Sequence, residues 1–585
     1  MSCLIQDSIL GQFIRLVSRG RYFRFEEQKD PSLWQQYVNL NKSGRMAYAG
    51  RPDADEELPE RFSAADTESM TRVPSTAWSH NGRRYQGITG AVIDPEKGRD
   101  VTIVDWWSDR DPERKLTHQN PQHWPLWKKV VVTFEICLLT FSVYIGSAIY
   151  SAGIESVMSE FQISQVAATL GLTLFVAGYG LGPLLWSPMS EVPQIGRNSV
   201  YIATLIVFVA LQVPVALAGN LGTLLAFRFL TGFFGSPALA TGGATLSDMF
   251  APRKRAYGIG IWGISAICGP VLGPLVGGFA AQAKGWRWTI WELMWLSGFT
   301  LVVLIIFLPE TSSSNILYRR ARRLRKLTNR SNLRSEPELA SEHLTARELA
   351  MMTLVRPFTL NFTEPMVFLL NLYIALIYGL LYVWFESFAI VFAGIYGFNL
   401  GQQGLAYIGI LTGALITIPP YYWWMHRYLE PRFDPETGNV PPEARLPPAI
   451  VGGFFIPICL FWFGWSARPS IHWIMPIVGS GFFSVGAFLL FNPVLNYLSD
   501  AYPEYAASVL AGNDLFRSAF GAGFPLFATA MYKNLGVDWA SSTLAFLGCA
   551  FIPIPVVLMK VSFLFLSRGS AGIGLIDVVC STGRR

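Results

Sequence analysis

Apolar residues are unevenly distributed along this chain. From Val130 onward they gather into twelve runs of about 20 residues, the length at which a helix rising 1.5 Å per residue crosses about 30 Å of hydrocarbon. The runs fall near 130–152, 166–187, 198–218, 221–246, 256–281, 288–308, 364–393, 403–424, 449–466, 470–497, 506–530 and 539–566. Residues 1–126 are polar, and stretches such as Asp100 to Arg114 lack the apolar surface needed to offset the entropy of ordering. The pattern predicts an all-α membrane protein. A mostly flexible tail over 1–126 precedes six spans over 127–308, a basic linker over 309–362, six more spans over 363–566 and an atypical tail over 567–585.

The start of the tail departs from this polarity. Ile5, Ile9, Phe13, Leu16 and Val17 share one helical face, with Arg15, Arg19, Arg21 and Arg24 alongside, so a short amphipathic helix is expected near 4–17. Two placements stay open: on an anionic inner leaflet, or folded against the protein's own loops. A cleavable signal peptide is not expected, because polar residues interrupt the run early.

Composition narrows the class. Of 585 residues, 51% are hydrophobic and 15% charged, whereas a soluble chain carries about a quarter charged residues. That excludes an ordinary soluble enzyme. The six cysteines are scattered, which excludes a disulfide-built secreted domain and leaves no metal-ligand spacing. The net charge of +6 is carried largely by the linker around Arg319 to Lys326, so an inner-leaflet anchor explains it better than a nucleic-acid partner. With the tail side taken as cytosolic, seventeen Lys and Arg fall in the inner connections against four outside, Lys284, Arg287, Arg468 and Lys533. Both termini are therefore expected in the cytosol.

An internal repeat is also present. Leu246-Ser-Asp-Met-Phe-Ala-Pro ends the fourth run and Leu498-Ser-Asp-Ala-Tyr-Pro ends the tenth, 252 residues later; the same offset relates Gly260 to Gly512 and Gly269 to Gly521. Two parallel six-helix halves predict a cavity between them near mid-membrane.

Gly260, Gly269, Gly273, Pro274, Gly277 and Gly278 match the antiporter motif of the major facilitator superfamily (Gly, eight residues, Gly, three, Gly-Pro, two, Gly-Gly) at every position. Leu225-Ala-Phe-Arg228-Phe-Leu-Thr-Gly232-Phe-Phe-Gly235 resembles the fourth-span motif of the same exporters. With Asn120-Pro-Gln-His-Trp-Pro, Leu308-Pro-Glu-Thr and the opening Leu4-Ile-Gln-Asp-Ser, the chain resembles a fungal twelve-span drug:proton antiporter of the branch known for benomyl, cycloheximide and azole resistance. The resemblance implies the major facilitator fold, a plasma-membrane location and proton-coupled export of hydrophobic or amphiphilic toxic molecules. It also implies a role for Arg228 in proton coupling.

The residues carry a physical reading beside the resemblance. Gly269, Gly273 and Gly277 lie four apart, a small-residue ridge that lets helices approach closely. Ionisable groups inside the spans cost at least about 2.5 kcal/mol each and are functional candidates. Arg228, Asp514, Arg517, Glu386 and Glu135 are therefore expected to serve proton coupling, with structural pairing as the alternative for Arg228 and for Asp514 with Arg517, and a solvated rim position as the alternative for Glu386. The loop Ser187-Pro-Met-Ser-Glu191-Val-Pro-Gln-Ile-Gly196-Arg197 occupies the place of the superfamily's cytoplasmic gate but lacks its first glycine and its base. Glu191, Gly196, Arg197 and Asp248 are the gate candidates, with Glu191 and Arg197 expected to form a latch. Phe175, Tyr179, Trp262, Tyr378, Tyr382, Phe385 and Asn513 are the candidates for a substrate cavity that takes aromatic or amphiphilic molecules.

No Gly-Lys dipeptide occurs, which removes a P-loop, and no catalytic motif emerges. The expectation is a non-enzymatic, monomeric transporter without cofactor whose partners are small substrates, protons and lipid. Alternatives are export of an endogenous metabolite for self-protection and, further off, a transceptor or an uptake facilitator. Val561 to Arg585 reads as an atypical end, best explained by a mispredicted exon or an unspliced intron.

Overall fold

Caps and prolines set where the membrane helices begin. The computed structural model describes residues 2–18, 21–23, 25–29, 91–93, 100–104, 106, 119–342, 351–434, 440–502 and 506–567. The first span starts at Leu126, directly after Pro125, and runs to Ala148 before tightening into a 3-10 turn and a helix to Phe161. Ser164 caps the second (Gln165–Leu181, continued by Pro183–Glu191) and Asn220 the fourth, each accepting a backbone N–H of the first turn. The third span is Arg197–Ala216; the fourth runs from Leu221 to Met249 with a break at Ser236-Pro237. The fifth, Pro252–Lys284, stays helical through Pro270 and Pro274, and the sixth is Trp286–Phe307.

The second half repeats this with a seventh span at Pro365–Phe388 and an eighth that opens at Leu400 under an Asn399–Gln402 capping box and continues as Ile408–Trp424. The ninth is Pro447–Ser466 and the tenth Ile474–Ala501. Eleven helices among the described residues are long and apolar enough to cross a membrane, but the last contains Gly536, where φ is +78° and ψ 161°. The chain doubles back there. The Tyr532 hydroxyl lies 3.1 Å from Ser541 Oγ, which nine residues of straight helix, about 13 Å of rise, would forbid. Divided at Gly536, the spans number twelve.

The halves meet along two seams, second span against eleventh and fifth against eighth. At one end of the bundle, here the tail side, the N-terminal residues and the linker helix Ser313–Thr328 pack together. The expected single amphipathic helix is instead two, Ser2–Asp7 and Ile9–Val17, because the Ser8 side chain caps the second and Gly11 sits against the Ile5 carbonyl where no Cβ would fit. Leu4 is buried and the pair packs on the sixth span, with Asp7 3.5 Å from Lys128, while Phe13, Leu16 and Val17 remain exposed. The buried Glu27 carboxylate pairs with Arg320 and Arg323 of the linker helix, and Phe25 lies between Arg15 and Arg323.

A small sheet, absent from the helical reading, joins Ala91–Ile93, Asp100–Ile103 and Leu333–Arg334. The rest of the tail, and residues 568–585, lie outside the described residues, as does the expected flexibility of the former.

Candidate functional site

A cavity of about 80 Å³ lies between the halves at mid-bundle. Tyr144, Ile259 and Trp262 line it from the first half; Tyr378, Phe483, Phe488, Phe491, Asn492 and Arg517 line it from the second. Of the cavity candidates, Trp262 and Tyr378 are in the lining. Phe175, Tyr179, Tyr382 and Asn513 are buried outside it, and the Phe385 side chain lies outside the described residues. Asn513 donates to Asn371, which in turn donates to Asn361, so it braces the eleventh span against the seventh. The lining residues Tyr144, Phe488 and Asn492 were missed because helical spacing defines faces without saying which face meets the other half.

Toward the far side the cavity is closed by two polar layers. In the first, the Tyr179 hydroxyl lies 2.6 Å from that of Tyr378 and 2.9 Å from that of Tyr382, which donates to Ser147 Oγ; the network joins first and second spans to the seventh. In the second, Glu386 is buried rather than a solvated rim residue. Its Oε2 accepts from Gln165 Nε2 at 3.0 Å and from Thr529 Oγ1 at 2.7 Å, and its Oε1 from Thr169. One carboxylate thus bridges the second, seventh and eleventh spans.

The other intramembrane charges differ in kind. Arg228 is fully buried, donates from Nε to the Gly171 carbonyl and from Nη1 to the Gly146 carbonyl, and sits against the faces of Tyr150 and Phe175. Its described contacts are carbonyls and rings. Asp514 and Arg517 form a close ion pair one turn apart. Glu135, 2% exposed on the first span, leaves Oε2 without a partner and forms no ion pair among the described residues.

On the tail side, the expected latch between Glu191 and Arg197 is replaced by another. Arg197 Nε binds Asp248 Oδ2 at 2.6 Å, while Glu191 at the end of the second span reaches Arg197 only electrostatically. Backbone geometry is the cause: Gly196 has φ +76°, which starts the third span with the Arg197 side chain turned to the fourth. Glu310, from the Leu308-Pro-Glu-Thr segment, accepts the backbone N–H groups of Arg197, Thr311 and Ser312. Burial pushes its carboxyl above the usual range, against the pull of Arg319.

The second half holds the equivalent pair, Arg445 with Asp500. Between them the fifth span's first turn crosses to the other half: Lys254 Nζ lies 2.6 Å and Arg253 3.6 Å from Glu430 at the end of the eighth span. Arg255 is in electrostatic reach of both Asp248 and Asp500. These basic residues read as topology signals in the sequence; the structure uses them as a bridge.

Residues 136–528 match the family model described as Major Facilitator Superfamily. The chain belongs to the major facilitator superfamily. It is 45% identical to the transporter mfs1 of Schizosaccharomyces pombe over 522 residues, covering 88% of this chain and 97% of that one. It is 39% identical to a cycloheximide resistance protein of Candida maltosa, covering 95% and 97%, and 43% identical to fluconazole resistance protein 1 of Saccharomyces cerevisiae, covering 78% and 82%. The fold is shared with the human organic anion transporter MFSD10 and with the Escherichia coli xylose transporter XylE in a partially occluded inward-open conformation. For each the TM-score is 0.51, at 16% and 18% identity, covering 74% of this chain and 99% of the other.

As a superfamily member the chain is a multi-span membrane transporter, and its fifth-span glycines can be read in that frame. A Cβ at Gly269, Gly273 or Gly277 would come within 2.6–2.8 Å of Tyr144, Ala148 or Ile149 of the first span. Gly260 and Gly278 serve the opposite side, against the Tyr422 hydroxyl and the Leu400 carbonyl of the other half. The superfamily's antiporter motif here is a two-sided surface.

Proposed function

We propose that this chain is a proton-driven exporter of hydrophobic or amphiphilic toxic molecules, set in the plasma membrane with both termini cytosolic. The observation that carries this reading is the aromatic cavity contributed by both halves and closed on the far side by the Glu386 bridge, a central site held between two halves as alternating access requires. Relatives named for cycloheximide and fluconazole resistance support the cargo class.

Glu135 is the proton carrier in this reading, because it is a buried membrane carboxylate with one oxygen left without a partner and no cation beside it among the described residues. Arg228 and the Asp514–Arg517 pair couple proton binding to helix movement, Glu386 holds the outer gate, and Gly196, Arg197 and Asp248 hold the inner one beside Glu191. The test is expression in pump-deficient yeast against a toxicity panel, followed by transport of each hit in proteoliposomes. Export should follow an imposed pH gradient. Equal flux with and without it sinks proton coupling, and sensitivity unchanged across the panel sinks the export reading.

A further inference from the structure

The central cavity is built to receive one kind of polar group. Several of its polar side chains are already committed: the Trp262 indole N–H donates to Thr140, the Ser484 hydroxyl to the Ile410 carbonyl, and an Asn492 amide N–H to the Phe488 carbonyl. Arg517 is different. Its residue is 8% exposed, it lines the cavity, and its Nε has no hydrogen-bond partner although its Nη2 is held by Asp514. Among the described residues it is the one charged side chain in the lining, which contains no carboxylate and no lysine. An unpaired N–H of a buried guanidinium is costly and strengthens whatever acceptor reaches it. Around it stand Tyr144, Trp262, Tyr378, Phe488 and Phe491, whose faces stack on planar rings.

We propose that Arg517 is the polar recognition residue of the substrate site, which selects planar aromatic molecules bearing an acceptor oxygen, acidic or neutral, and rejects aromatic ammonium ions. This rests on the export reading above and adds a substrate-contacting role to the coupling role given there to Arg517. A cationic head would place like charges together in a water-poor cavity, whereas a carboxylate, phenolate or carbonyl oxygen completes the donor set. The Asp514 pairing tempers the selectivity, because it partly neutralises the guanidinium and leaves one edge rather than the whole fork to the ligand; Asp514 Oδ2, which also lacks a hydrogen-bond partner, is outside the lining.

The test uses three probes with the same ring and different heads, each larger than the cavity of about 80 Å³ and so bound only as the two halves part: 9-anthracenecarboxylate, 9-anthracenemethanol and 9-anthracenemethylammonium. Binding to the full-length chain in lipid nanodiscs is read as saturable energy transfer from its tryptophans to anthracene, with empty discs subtracted. The carboxylate should bind about tenfold or more tighter than the ammonium, with the alcohol between. Arg517→Gln should abolish that order. Because it leaves Asp514 buried without its cation, the double variant Asp514→Asn/Arg517→Gln is measured beside it and should also show no charge preference. Asp514→Asn alone should tighten carboxylate binding, since the guanidinium is no longer claimed.

The proposal is overturned if the ammonium binds as well as the carboxylate, if the order survives in both Arg517 variants, or if none of the three probes binds saturably. Gradient-driven drug export by a chain that binds the ammonium best keeps the export reading and removes this one. Carboxylate preference without gradient-driven export does the reverse.

Discussion

At the residue scale, the buried charges divide by what neutralises them. Arg228 is balanced by two carbonyls and two aromatic faces, so its removal strips the first and second spans of a shared donor. Arg228→Ala should end transport and lower the midpoint of thermal unfolding in detergent, while Arg228→Lys, which keeps the charge but can reach fewer acceptors, should keep more of the fold than of the flux. Wild-type flux in the alanine variant would remove it from the mechanism. Glu135→Gln should retain substrate exchange across proteoliposomes at equal pH and lose the response to a pH gradient; a retained response would pass the proton to another carboxylate. Gly196 is doubly constrained, by φ +76° and by a Cβ position 2.5 Å from Glu310. Gly196→Ala should therefore cost about 1–2 kcal/mol of stability, read as a shift in the same thermal midpoint. That each of these residues was unusual is visible in the chain; the partners of Arg228 and Gly196 are not, because they lie 57 and 82 residues away for Arg228 and 114 for Gly196.

At the element scale, the fifth span shows how far periodicity reaches. Glycines four apart announce a close helix contact, and that ridge does meet the first span. The glycines off the ridge are what join the halves. Gly278→Val would drive a side chain into the Leu400 carbonyl, and the expected result is a looser far-side seam. A cysteine placed at Gln165 or Thr529 should then react faster with an impermeant thiol reagent, and an unchanged rate would mean that the seam does not depend on this contact. The N-terminal segment makes the opposite point: its amphipathic pattern is real, yet a serine cap and a glycine contact divide it, and Leu4 and Asp7 tie it to the bundle.

At the scale of the whole molecule, the transporter is two halves joined by polar contacts at both ends. Closure on the far side rests on Glu386 and the tyrosine hydroxyls, and contact on the tail side rests on the fifth span's basic turn reaching Glu430. Lys254 is half-exposed, so reversing its charge should shift the balance by only about 1 kcal/mol, whereas Glu430 is buried and also meets Arg253, so its reversal should cost more. The prediction is that Lys254→Glu and Glu430→Lys each weaken tail-side crosslinking between the fifth and eighth spans and that the double exchange restores it. Failure of the restoration would assign the contact to packing of Tyr257 on Tyr422 instead.

The sequence by itself determined the twelve spans, the two-fold repeat and the glycine ridge, since each depends on local apolarity, on helical period or on an offset along the chain. It also marked the costly intramembrane charges. Only the tertiary structure decided that Arg197 pairs with Asp248 rather than Glu191, that Glu386 is a buried bridge, and that Trp262, Tyr378 and Arg517 face one cavity while Asn513 and Tyr382 do not. The physical reason is that helical period orients a side chain around its own axis, whereas its partner depends on which distant helix packs against that face and at what depth.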